Sequence, residues 1–166
     1  MKKLFLAGCF LLFATSCTKT NSPTTTQPVT NYNYNQQLQI GDKTLSVEVE
    51  KTKAEMEQGL SDRVSMEQNQ GMLFDFTATA SSTTGVYPAF WMKDMKFDLD
   101  FIWIYKNKII GITPNVPKPA SQQVSSSAGQ LTDYFPPSPI DWVLEVNSGW
   151  AKKNNITVGD AVELKN

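Results

Sequence analysis

Residues 97–105 read Phe-Asp-Leu-Asp-Phe-Ile-Trp-Ile-Tyr, and no other stretch restricts the fold as strongly. Phe97, Leu99, Phe101, Trp103 and Tyr105 recur at every second position, the period of one face of a strand. The other face opens with Asp98 and Asp100 and continues with Ile102 and Ile104. One end of this strand is therefore polar on one side, and the other end is apolar on both. Lys106-Asn107-Lys108 is a tight connection to a second strand at 109–113, and the two together predict a hairpin.

The flanking sequence has the same short grain. Leu45, Val47 and Val49 alternate with Ser46, Glu48 and Glu50, as in a half-buried strand. Thr52-Lys-Ala-Glu55 has capping-box spacing, so a short helix follows, and Gly59 ends it. Residues 72–76 read as a strand and 77–89 as a polar loop. Phe90-Trp91-Met92 opens another strand, with a polar connection at 93–96. Residues 114–139 hold six of the nine prolines and predict a long loop without periodicity, the kind that is usually functional or mobile. Ile140, Trp142, Leu144 and Val146 alternate with Asp141, Val143, Glu145 and Asn147 as a further strand. Ser148 is placed to cap a short helix over 149–154, and 158–162 turn into a final strand. The sum is five or six short strands and two short helices. It predicts a mostly β (α+β) fold, a compact antiparallel barrel-like sheet.

The amino-terminal part is different. Lys2 and Lys3 precede an apolar run from Leu4 to Phe13, and small residues Ala14, Thr15 and Ser16 lead to Cys17. That is the plan of a secretory signal over 1–16. The apolar run, about ten residues, is too short to span the roughly 30 Å hydrocarbon core of a bilayer. Small residues directly before a cysteine suit lipoprotein processing, so Cys17 is expected to carry lipid. Leu6-Ala7-Gly8-Cys9 is a rival, but cutting there leaves almost no apolar region; an uncleaved anchor is the other alternative. The expected location is the cell envelope, on the periplasmic side of an outer membrane if the source is Gram-negative. Residues 17–37 form the lipidated cysteine and a Thr/Asn/Pro-rich tether, too polar to offset its ordering entropy. Within it, Tyr32 and Tyr34 alternate with Asn, and a short edge strand is the alternative to disorder. Residues 38–166 are one domain's worth of chain.

These readings narrow the chemistry. Cys9 leaves with the signal and Cys17 is acylated, so the mature chain keeps no thiol and no disulfide. Loss of Lys2 and Lys3 leaves 13 basic against 16 acidic residues, a net −3. That is no footprint for nucleic acid. The chain has no histidine, which excludes Ser-His and Cys-His catalysis and His-ligated zinc. No cofactor is implied.

Three ordered stretches carry a family resemblance. The first is Glu57-Gln-Gly-Leu60-Ser-Asp-Arg63, running on to Gly71-Met-Leu-Phe74. The second is Phe90-Trp-Met-Lys-Asp94, with Leu99-Asp100-Phe-Ile102 behind it. The third is Val143-Leu-Glu-Val-Asn-Ser-Gly-Trp150, ending in Ile156-Thr-Val-Gly-Asp160. Over roughly 43–164 the chain resembles the DUF192 family, a bacterial and archaeal domain of unknown function. The resemblance implies a small β-rich domain with short helices and no established chemistry. The family usually shows Asn-Thr after its Trp-Met-Lys, where this chain has Asp94-Met95; its 115–139 loop is also longer and richer in Ser and Pro.

The polar residues among apolar neighbours are the candidate site. Arg63 is the only arginine, and its planar fork suits bidentate carboxylate recognition. It reads either as an anion clamp or, preferably, as a structural partner of Asp100 or Glu145. Asp100 and Glu145 sit on apolar strands, where charges are rare unless paired. They are expected to pair with Arg63 or Lys93 or to accept backbone N–H groups; the alternative is a glycosidase-type acid and base or nucleophile. Trp91, Met92 and Lys93 join them, Trp91 as core or as a stacking platform, Trp142 and Trp150 as core. Asp94, Asp98 and Asp100 lack the calcium-loop pattern, and no metal site is expected. The function expected is a lipid-anchored, non-catalytic binding or accessory module. Its cleft would lie around Arg63, Trp91, Lys93, Asp100 and Glu145 with the 115–139 loop over it, Met92 and Asp94 being further candidate ligand-binding residues, and it would face an envelope glycan or protein. An envelope polysaccharide hydrolase using Asp100 and Glu145 is the alternative.

Overall fold

The computed structural model describes residues 32–78, 84–120 and 131–165. The expected signal, Cys17 and the tether as far as residue 31 lie outside the described residues. Among the described residues nine elements follow in order: β1 Gln36–Ile40, β2 Lys43–Glu50, α1 Lys53–Gln58, β3 Gln70–Asp75, β4 Leu99–Tyr105, β5 Lys108–Val116, β6 Trp142–Asn147, α2 Trp150–Lys153 and β7 Val162–Lys165. The seven strands form one sheet in the order β5-β4-β6-β3-β2-β1-β7. The sheet curls until its two edges meet: the Ile109 amide donates to the Asp160 carbonyl at 3.0 Å, and the Val162 amide to Asn107 at 2.9 Å. The fold is thus mostly β with a barrel-like sheet and two short helices.

The hairpin of β4 and β5 turns at Lys106 and Asn107, both in the left-handed region with φ of 47° and 60°. Two successive positive φ values define the turn whose twist matches a hairpin. All pairings are antiparallel except that of β2 with β3. A parallel pair needs a crossover, and here residues 51–69, with α1, supply it. At Gly71 the β3 backbone passes so close to β6 that an added Cβ would stand 2.9 Å from Leu144 Cδ1. Only a residue without a side chain lets the two strands pack there.

Register sorts the apolar residues into two cores. Leu73 on β3, Leu144 on β6 and Ile102 on β4 are neighbours across the sheet on one face. They join Leu38, Ile40, Leu45, Val47 and Trp150 in the first core. One residue along, Met72, Glu145 and Phe101 form the matching row on the opposite face. There Phe74, Phe90, Leu99, Trp103 and Val143 make the second core. Full burial of Phe101 and Trp103 contributes on the order of 2–3 kcal/mol each.

Three sequence expectations need correction. Residues 90–92 are not a strand of the sheet: Phe90 makes a single bridge with Tyr134 and otherwise crosses the second core. An extended chain keeps period 2 without a ladder, so Phe90 and Met92 point inward while Tyr87, Ala89 and Trp91 point out. β1 starts at Gln36, inside the stretch assigned to the tether. Its glutamines hide the pattern, yet Leu38 and Ile40 are fully buried between β2 and β7. Finally, Ser148 does not cap α2. Gly149 holds that position, and the Ser148 hydroxyl donates to Asn115 Oδ1 at 3.0 Å.

Candidate functional site

Above the second core lies a cavity of about 410 Å³. One wall is α1 and its exit, with Met56, Gly59, Leu60 and Ser61. The other is the extended segment from Pro88 to Lys93. Phe74, Phe76 and Phe90 supply aromatic surface, and Met95 an adaptable thioether. The helix wall is fixed by local chemistry: the Thr52 hydroxyl accepts from the Glu55 amide at 3.3 Å, and the Glu55 carboxylate accepts from the Thr52 amide at 2.8 Å. Gly59 then ends the helix at a φ of 47°. The Ser61 hydroxyl donates to the Lys93 carbonyl at 3.0 Å, and the Asp62 amide to the Asp94 carbonyl at 3.0 Å. These two bonds tie the walls together.

Glu145 also lines this cavity. The β6 register sets it between Met72 and Phe101, both fully buried. Only 5% of Glu145 is exposed, and among the described residues no hydrogen bond reaches its carboxyl group. Burial pushes its pKa up to about 8, and the nearby Arg63 charge pulls the other way without prevailing. At neutral pH Glu145 is therefore mainly a neutral acid, carrying a donor hydrogen in an apolar cavity. Lys51, Lys53, Glu57, Lys93 and Trp91 also line the cavity on exposed positions, Trp91 with 44% of its surface exposed.

Arg63 stands apart from the cavity lining, on the same sheet face. Its Nη1 donates to Glu48 Oε2 at 2.6 Å and to the Tyr34 hydroxyl at 3.1 Å. The guanidinium carbon lies 3.8 Å from the centroid of the Tyr32 ring, a cation–π geometry. So Arg63 pairs with Glu48, not with Asp100 or Glu145. In the β2–β3–β6 register, Glu48, Met72 and Glu145 form one row. Arg63 thus takes the β2 end of that row and acts on Glu145 only through space. Buried Glu50, beside them on β2, is held above the usual carboxylate range by burial, with the Glu48 and Glu55 charges adding to it.

Asp100 lies in another place. It is fully buried and accepts three backbone amides: Asn115 at 2.9 Å and Gly149 at 3.0 Å on Oδ1, and Ala151 at 3.1 Å on Oδ2. It joins β4, β5 and the start of α2, the backbone-accepting role that its sequence setting allowed. Its register partner is Val146, whereas that of Glu145 is Phe101, so the two acids face opposite sides of the sheet. The acid and base pair weighed for a hydrolase does not form.

The remaining candidates divide. Trp91 and Lys93 meet Glu145 around the cavity, whereas Met92 is buried in the second core. Trp91 is not core, because its neighbour Phe90 takes the inward place. Asp94 has a φ of 58°, a region where Asn and Asp are enriched, so the change from the family's Asn keeps the turn. Trp150 is core, while Trp142 is half-buried with its indole N–H donating to Asp75 Oδ1 at 3.0 Å. Sequence reasoning missed Glu48, Tyr32 and Tyr34 as partners of Arg63, and missed Leu60, Phe74 and Phe76 as cavity walls. The Tyr-Asn-Tyr alternation was the available signal for the tyrosines; nothing local announces the walls.

Two solved structures share the architecture. One is a protein of unknown function from Novosphingobium aromaticivorans, 23% identical, with a TM-score of 0.64, covering 76% of this chain and 83% of its own. The other is described as a candidate transcription regulator from Sinorhizobium meliloti. It is 26% identical with a TM-score of 0.64, covering 78% of this chain and 92% of its own. No curated protein matches the sequence. The sequence profile of DUF192, described as an uncharacterized ACR, matches residues 36–164. With that match spanning every strand except the end of β7, the chain belongs to the DUF192 family.

Proposed function

We propose that this domain is a non-catalytic binding module of the cell envelope, held at a membrane by lipid on Cys17. Its site is the cavity between α1 and residues 88–93. The observation that carries this reading is the cavity itself: about 410 Å³, walled by aromatic, Leu and Met side chains and open at an exposed Trp. Its volume falls in the range of small-molecule sites, which are mostly apolar with few polar groups. The two acids considered for hydrolysis face opposite sides of the sheet, which favours binding over that chemistry.

The neutral fluorophore N-phenyl-1-naphthylamine tests the site. Saturable enhancement of its emission is expected for the full chain. Met56→Trp should abolish it while leaving cooperative unfolding in place, since Met56 lines the cavity from a helix that buries no residue. No saturable signal, or an unchanged one in that variant, overturns the reading.

The lipid proposal rests on the apolar run and small residues before Cys17. Cells fed an alkynyl palmitate should label the protein, and Cys17→Ser should remove the label; persistence of label overturns it. An envelope glycan stacking on exposed Trp91, or an envelope protein, would be sought in the same layer.

A further inference from the structure

Building on the cavity reading above, we infer that Glu145 is the hydrogen-bond donor that selects the ligand: the site takes an apolar molecule bearing a carbonyl-type acceptor at its buried end. Three observations converge. Glu145 lines the cavity, is only 5% exposed as a residue, and its carboxyl group has no hydrogen-bond partner among the described residues. Among those residues no fully enclosed side-chain N or O atom lacks a partner, so this carboxyl is unpaired where the cavity opens onto it. In an apolar cavity a donor that opens onto the space is met only by water or by an occupant, and an occupant that supplies the acceptor takes over that hydrogen bond.

The charges around the cavity decide between a neutral acceptor and a cation. A ligand amine could instead ionise Glu145. From α1 and its approach the site faces Lys51 and Lys53 against Glu57, and from the opposite wall Lys93. Lys53 and Glu57 pair with each other at 3.6 Å, and Lys51 reaches Asp75 at 3.8 Å. Outside the lining, Arg63 acts on Glu145 as a positive charge, itself bound to Glu48. Glu50, buried on β2 beside the row of Glu48 and Glu145, is shifted toward its neutral form by burial. The lining thus sets Lys51, Lys53 and Lys93 against Glu57, a positive balance that disfavours a cation. The walls at Phe74, Phe76, Phe90 and Leu60 accept hydrocarbon, leaving Glu145 to read the single polar atom.

The experiment compares two probes of one shape on the full chain, 2-propionylnaphthalene and 2-propylnaphthalene, each displacing N-phenyl-1-naphthylamine. At pH 6 the ketone should bind about tenfold more tightly, the scale of one hydrogen bond to a buried donor. Glu145→Leu should equalise the two. Glu145→Gln keeps an N–H donor and should retain a ketone preference that no longer changes with pH, whereas in the wild-type protein the preference fades as Glu145 ionises at alkaline pH. Equal affinities in the wild-type protein, a preference surviving Glu145→Leu, or wild-type pH dependence in Glu145→Gln overturns the inference. If neither probe displaces the fluorophore, the cavity reading itself fails; if both do so equally, only the role of Glu145 fails.

Discussion

Asp100 and Glu145 stand one register step apart on adjacent strands, and that single step turns their carboxyl groups to opposite faces of the sheet. One is saturated by three backbone amides; the other meets none among the described residues. Two acids that look alike in sequence are thereby given opposite physical states, and each supports its own prediction.

Glu145 should make the domain less stable in alkali. Its pKa rises from an ordinary 4.5 to about 8 on folding. Between these values the folded state holds a proton that the unfolded state has released, so stability falls as pH rises. The slope can approach 1.4 kcal/mol per pH unit, about one proton's worth. Urea unfolding of wild type and Glu145→Gln from pH 5 to 9 checks it. The variant should lose most of this decline and overtake the wild-type protein at the alkaline end.

Asp100→Ala should cost about 2–4 kcal/mol, because three buried amides lose their charged acceptor at once. Asp100→Asn should cost less. Its oxygen can still serve Asn115 and Gly149, while its amide group opposes the Ala151 N–H. Chemical denaturation of both variants should rank them in that order, and hydrogen exchange should show the loss first in α2.

Arg63→Met should release the segment before β1. It removes the partner of Glu48, the donor to Tyr34 and the cation over Tyr32 together. A coupling of about 1–3 kcal/mol is expected from the cycle Arg63→Met with Glu48→Gln, since the pair is largely buried. Arg63→Lys should restore only part of it, as one ammonium cannot both stack flat on a ring and hold two oxygens. Limited proteolysis should cut near Tyr32 and Tyr34 faster in both variants.

Thr52→Ala should cost about 0.5–2 kcal/mol locally by undoing the capping box. Because α1 walls the cavity, affinity for the naphthylamine probe should fall with it. Circular dichroism alone would miss so small a helix, so exchange at Glu55 and Met56 is the useful measurement.

Period-2 patterning was enough to read β2, β4 and β6, and the capping box was enough for α1. These signals are local, and each depends on a residue's immediate neighbours. β1 stayed hidden because three of its five residues are glutamine, and only pairing with β2 and β7 makes Leu38 and Ile40 a buried face. The site was half legible. That Arg63, Asp100 and Glu145 would need partners followed from their surroundings in sequence. Which partners they take depends on strand order and register, and Glu48 wins Arg63 because the parallel β2–β3 pair sets it in the row of Glu145. The cavity walls come from three separate stretches and carry no common pattern.

Six residues make α1, and none of them is buried. A helix that short does not hold together by itself in water, and so depends on its cap and on the bonds at Ser61 and Asp62. The sheet side of the cavity has no such freedom. Fraying of α1 is therefore expected on a timescale far shorter than unfolding of the sheet, and opening of the cavity would follow it. Residence of a guest molecule would be governed by that turn: a stronger cap would slow both entry and escape without altering a single atom that the guest touches.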